Sequence, residues 1–123
     1  MKYYYCEKCG NLLEVILDSN VKPLCCGEEM KILVADSEET ASLEKHIPVV
    51  CKEGDVVKVK VGGMPHPMSS EHYIEFIELE TDQGVYRKEI KFNDAAEAEF
   101  VLKPDENVVN AYAYCNIHGL WVA

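Results

Sequence analysis

Four of the six cysteines fall within the first 26 residues, as Cys6-Glu7-Lys8-Cys9 and the adjacent pair Cys25-Cys26. A glycine follows each pair, Gly10 and Gly27. A segment this short cannot build much of a core alone, so a bound metal must supply the missing stability. Four thiolates suit tetrahedral Zn or a single Fe. Zinc ribbons usually use two C-x2-C knuckles, whereas adjacent cysteines on one ion impose an awkward chelate angle. The pair Cys25-Cys26 therefore tilts the choice towards Fe in a distorted tetrahedron, with a structural zinc ribbon still open. A vicinal disulfide is a third option, and a strained one. The opening Met1-Lys2-Tyr3-Tyr4-Tyr5-Cys6 lacks the apolar stretch of a secretory signal, which places the chain in the cytoplasm. In that reducing compartment clustered cysteines bind metal more often than they form disulfides.

Charge narrows the function classes. The net charge is −10 over 123 residues. Residues 1–36 hold four Lys against six acids, giving −2, and residues 37–123 hold eight Lys/Arg against sixteen acids, giving −8. Nucleic acid needs a basic footprint and anionic lipid a polybasic one, so neither is expected as a partner. No apolar run approaches the ~18 residues of a membrane span.

The stretch Asp36-Ser37-Glu38-Glu39-Thr40 reads as a linker, and the remainder of the chain reads as all-β. Val57, Val59 and Val61 alternate with Lys58 and Lys60 within Asp55–Val61. Tyr73–Leu79 alternates too, with Tyr73, Glu75, Ile77 and Leu79 on one side. Val85–Phe92, Ala98–Leu102 and Val108–Tyr114 are further strand-like runs, although Ala95–Phe100 is also compatible with a helical turn. Turn signals such as Gly62-Gly63, Asp82-Gln83-Gly84 and Lys103-Pro104-Asp105 separate them. Short strands at this spacing predict a sandwich or barrel.

All four histidines lie in this second part, with Cys115 beside the last of them. Cys115-Asn116-Ile117-His118-Gly119 spaces a thiolate and an imidazole so that both reach one ion from a turn. His66 sits in Met64-Pro65-His66-Pro67-Met68, where the prolines forbid a central strand and fix a rigid loop. His72 lies six residues beyond, and His46 precedes Ile47-Pro48 at a strand entry. A lone His is more often a satisfied core or surface residue than a ligand, but four in such settings are harder to dismiss. Zn would normally stop at four ligands. Four imidazoles and one thiolate instead suggest Fe with an open sixth position.

These residues resemble the desulfoferrodoxin family, the two-iron form of superoxide reductase, over essentially the whole chain. Residues 1–36 are similar to a desulforedoxin-like domain with Cys6, Cys9, Cys25 and Cys26 on a rubredoxin-like Fe. Residues 37–123 are similar to a neelaredoxin-like domain through Glu44-Lys45-His46-Ile47-Pro48, the His66 and His72 loop, and Cys115 to Trp121. The resemblance implies an immunoglobulin-like β-sandwich and two irons per chain. At the catalytic iron it implies His46, His66, His72 and His118 in the equatorial plane and Cys115 axial. Glu44 becomes the sixth ligand of the oxidised iron, and Lys45 attracts the anionic substrate. The implied reaction is one-electron reduction of superoxide to hydrogen peroxide, with electrons from a rubredoxin-like donor, in a homodimer. Cys51 has no part in that pattern and reads as a buried strand residue.

Three other functions remain compatible with the residues alone. They are a non-catalytic electron carrier with the same irons, a zinc-stabilised binding module, and a superoxide dismutase.

Overall fold

The computed structural model describes residues 1–38, 46–63 and 66–123. Glu44 and Lys45 lie outside the described residues. The chain divides into two compact units, Met1–Val34 and Ala35–Ala123. All regular elements among the described residues are strands, as the sequence predicts.

In the first unit, β1 (Tyr3–Tyr5) and β2 (Leu12–Glu14) flank the turn that carries Cys6 and Cys9. The two-residue strands β3 (Leu24–Cys25) and β4 (Glu28–Glu29) form a hairpin around Cys26-Gly27, and β5 (Lys31–Leu33) comes next. The strands β2, β1 and β5 make an antiparallel sheet in that order. Its buried residues are Tyr3, Tyr4, Cys6 and Met30, the last three in one cluster with Val15 and Cys25 packed against it. So little apolar burial leaves the unit dependent on another source of stability.

The second unit is an immunoglobulin-like sandwich. Its strands are β6 (Pro48–Glu53), β7 (Val56–Val61), β8 (Ile74–Thr81), β9 (Gly84–Glu89), β10 (Glu97–Val101), β11 (Val108–Cys115) and β12 (Gly119–Val122). One sheet runs β10-β7-β6 and the other β12-β11-β8-β9, with every pairing antiparallel. Two-sided packing explains the alternation read from the sequence. Val57, Val59 and Val61 face Ile77, Leu79, Ala111 and Ala113 in one shared core, while Lys58 and Lys60 point to solvent. Fully burying each of the larger aliphatic side chains stabilises by about 1.5–3 kcal/mol.

The strand read over Ala98–Leu102 is β10, and the alternative of a helical turn falls, because Ala98 and Phe100 fill the core while Glu97 and Glu99 face out. Two sequence-based expectations need correction. Along β8 the simple alternation breaks, since Ile74 is buried with Ile77 and Leu79. The cause is a register shift: Tyr114 faces Phe76 but Cys115 faces Ile74, which leaves Glu75 as an extra residue. Such a bulge turns the end of a strand relative to its middle, and this one lies next to Cys115. Cys51 is exposed and not buried. It sits on β6, an edge strand whose residues after Pro48 are all exposed.

Candidate metal centres

The first group forms where two turns meet. Cys6 N–H donates to Asn11 O and Gly10 N–H to Cys6 O, both at 2.9 Å, which closes the Cys6-to-Gly10 knuckle. Opposite it, Cys26 has φ 53° and Gly27 φ 77°. A left-handed non-glycine residue costs about 1–2 kcal/mol. Here that conformation brings the two neighbouring thiols together, with Cys25 Sγ 4.0 Å from Cys26 Sγ and 3.5 Å from Cys9 Sγ. The ligand atoms of Cys6, Cys9, Cys25 and Cys26 all lie within 4.8 Å of one another.

Crowding splits the acidities of these thiols. Backbone N–H groups, Cys9's foremost, lower Cys6 to about 7. Sharing hydrogen bonds with Cys9 raises Cys25, and raises Cys26 to about 12. Four sulfurs this close cannot all ionise without a cation among them, and a bound metal removes the conflict by holding every one as thiolate.

The second group is built at one end of the sandwich. Cys115 ends β11 and His118 lies in the turn to β12, which Gly119 closes with a φ of 81° that favours glycine. His72 lies just before β8, His66 in the segment leading to it, and His46 two residues before β6. The four imidazoles form a closed ring. Centroids are 4.8 Å apart for His46–His66, 4.7 Å for His66–His72, 5.0 Å for His72–His118 and 4.7 Å for His118–His46. Adjacent rings stand at 63–83° to each other, and one ring nitrogen of each lies within 4.8 Å of the others and of Cys115 Sγ, so nitrogens converge on the centre. Taken as a square of ~4.8 Å side, the ring has its centre ~3.4 Å from each centroid, room for a metal–nitrogen bond of about 2.1 Å.

Individual contacts agree with that picture. His46 Nε2 and His118 Nδ1 are 3.1 Å apart, and Cys115 Sγ is 3.7 Å from His118 Nδ1. His66 Nδ1 lies 2.7 Å from Pro67 O. A proton on Nδ1 satisfies that carbonyl and leaves Nε2 as the ligating atom, the usual arrangement of a metal-binding His. His46, His66 and Cys115 are buried, His72 is half-buried and His118 is exposed. A residue to which the sequence pattern assigns no role completes the wall. Trp121 stacks on His46 at 4.6 Å and 14°, and its indole N–H donates to His118 O at 3.2 Å. An aromatic one strand-step beyond a Cys-x-x-His turn was the available signal.

The donor sets fit iron. Four sulfurs suit a tetrahedral ion of soft preference, and four nitrogens with one sulfur exceed what zinc usually takes. This fold and these two groups define a two-centre non-haem metal protein.

Comparison with known proteins places it more closely. The family model described as desulfoferrodoxin matches residues 38–123. A desulfoferrodoxin homolog from Archaeoglobus fulgidus is 46% identical over 98% of this chain and 94% of its own length. The desulfoferrodoxin of Nitratidesulfovibrio vulgaris is 45% identical over 98% of this chain and 93% of its own. The crystal structure of the superoxide reductase from Treponema pallidum superposes with a TM-score of 0.84 at 32% identity, covering 99% of this chain and 96% of that one. The chain belongs to the desulfoferrodoxin family. Its cofactor is iron, at a four-cysteine group and at a group of four histidines and one cysteine.

Proposed function

We propose that the chain is a superoxide reductase, converting superoxide to hydrogen peroxide by uptake of one electron and two protons. The observation that carries this reading is the closed ring of four imidazoles beside a thiolate, exposed at His118. In this reading Cys6, Cys9, Cys25 and Cys26 hold the first iron, and His46, His66, His72, Cys115 and His118 hold the second. The second iron, when bound, supplies the single electron and an open coordination position. In this reading each iron belongs to its own domain, residues 1–36 and 37–123, a division within two residues of that between the compact units.

The chain's own residues shape the encounter. The anion must approach a part carrying −8. Lys45, next to the buried His46, supplies local attraction. A unit charge ~4 Å from an anion gains about 4 kcal/mol at an effective dielectric of ~20, while distant acids are screened beyond ~8 Å. Glu44 serves as the sixth ligand of the oxidised centre. Cys9 and Cys26 are exposed, which brings the first centre to the surface, within reach of a rubredoxin-like donor in an electron-transport step. Six cysteines with no disulfide among them suit the cytoplasm, where the reaction removes superoxide as a defence against oxidative stress. A homodimer is supported by the first unit's apolar surface: Ile16, Leu17, Val21 and Leu24 are between 73% and 91% exposed. That is more than a small monomer usually leaves in water.

The test is stoichiometric. The chain is reduced without oxygen and mixed with a known amount of superoxide. One peroxide per superoxide, no oxygen, and one second-centre iron oxidised are expected. Oxygen released with the peroxide would identify a dismutase, and no iron oxidation would leave only an electron carrier.

A further inference from the structure

His72 is held by its backbone from two directions. The peptide groups on either side of it offer four hydrogen-bonding atoms, and all four are taken. Ser69 Oγ accepts from His72 N–H at 3.2 Å, and Ser69 N–H donates to His72 O at 2.9 Å. The other two go to one side chain. Asn116 Oδ1 accepts from Tyr73 N–H at 2.9 Å, and Asn116 Nδ2 donates to Glu71 O at 2.9 Å. A third bond runs from Asn116 N–H to Tyr73 O at 3.1 Å. A carboxamide is the side chain that offers an acceptor and a donor side by side for such a pair.

Asn116 comes directly after Cys115 and precedes His118 by two residues. We propose that Asn116 is a positioning residue for the second centre, its carboxamide fastening the backbone around His72 to the turn that carries Cys115 and His118. Three of the five donors then move as one body. Without the carboxamide, the peptide groups flanking His72 are left with Ser69 on their own loop, and the single backbone bond from Asn116 N–H to Tyr73 O remains as the tie to the turn at this point. Partners that orient ligands typically matter by 10- to 100-fold in metal affinity.

This inference rests on the metal-site reading above, so the experiment separates the two. The intact chain is prepared as Asn116→Ala, Asn116→Asp and Asn107→Ala. Asn107 supplies a control, because its side chain and N–H make a comparable clamp on Asp82 at the other end of the same two strands. Iron is competed against a chelator, and Mössbauer spectra distinguish the all-sulfur iron from the nitrogen-ligated one. Asn116→Ala is expected to weaken retention of the nitrogen-ligated iron by about 10- to 100-fold and to change its quadrupole splitting, with the all-sulfur iron unaffected. Asn107→Ala should leave both irons in place even where it lowers the melting temperature equally. Asn116→Asp keeps the acceptor for Tyr73 and loses the donor to Glu71, so its loss should be smaller. It decides the matter if the alanine variant does not fold.

Parent-like retention and spectrum in both Asn116 variants would overturn the proposal, as would equal loss in Asn107→Ala. Should the parent chain hold no nitrogen-ligated iron, the metal-site reading falls instead. Amide exchange at Tyr73 in the metal-free chain then decides the clamp: faster exchange in Asn116→Ala supports it, and unchanged exchange ends it.

Discussion

The two metal groups are assembled by opposite means. The four-cysteine group is held by turns, with a left-handed Cys26 and few buried side chains behind it. The histidine-rich group is held by strand ends and by the segments feeding them, on a sandwich whose core cluster contains thirteen buried residues among those described. In the first unit the metal is the missing core. In the second the core exists already, and the metal finds donors delivered to it.

This contrast breaks most easily by removing metal. Free energies of about 10–16 kcal/mol attach to structural metal in small modules, as much as the net stability of a whole domain. Chelation under reducing conditions should therefore abolish amide-exchange protection along β1, including Tyr4, while Ile77 and Ala113 stay protected. Continued protection of Tyr4 in the metal-free chain would mean that the first unit stands on its own packing. The reciprocal perturbation is Ile77→Ala. Ile77 is fully buried, and truncating such a residue typically costs about 2–5 kcal/mol. Urea unfolding of the sandwich should shift by that amount, with the visible absorption of the four-cysteine iron unchanged below the transition. Loss of both together would show that the two units unfold as one.

The same contrast explains what could be read from sequence. The two groups of donor residues that the structure brings together were legible because metal binding leaves few residue types to choose from, and Cys6-x-x-Cys9 and Cys115-x-x-His118 are local. The Val57-Val59-Val61 strand was legible because one face is buried and the other wet. Less local features were hidden. The bulge at Glu75 depends on how β8 pairs with β11, a partner more than 30 residues away. Cys51 looked buried because a strand of apolar neighbours usually is, yet β6 lies at a sheet edge. Asn116 and Trp121 belong to the Cys115-to-Trp121 stretch that carried the resemblance but had no role of their own, since nothing local says that one faces the His72 backbone and the other lies flat on His46.

A smaller effect concerns only the second group, which is exposed at His118. If Lys45 draws in the anion, Lys45→Ala should slow the bimolecular reaction with superoxide about 10-fold at low salt, the lower end of electrostatic steering. The parent rate should fall as salt is added and the variant's should not. Iron content should be the same in both. Equal rates and equal salt dependence in pulse radiolysis would remove Lys45 from the mechanism.

The smallest effect is confined to acid and tests whether the sandwich is independent of both metals. Glu106 is buried, and its carboxylate joins the ends of three segments. It accepts from the Thr81 hydroxyl, from Tyr86 Oη at 2.8 Å and from Lys103 N–H at 3.2 Å. These bonds, Thr81's foremost, hold its carboxyl below the ordinary 4.5. A lowered pKa means that the ionised form is favoured by the fold. Its contribution is therefore complete above 4.5 and fades as pH falls through the lower folded value. A proton on Oε2 turns the Thr81 hydroxyl from donor to acceptor and leaves Oε1 accepting from Tyr86 and Lys103, so what protonation removes is the charge assistance of all three bonds. In the metal-free chain, Glu106→Gln should lower sandwich stability at neutral pH and flatten its decline between roughly pH 5 and 3. An unchanged slope would assign the acid sensitivity to the general surplus of acids instead. A slope that disappeared only when metal was present would show that the frame and its metal are not separable, and the sandwich would then resemble the first unit in depending on its ion.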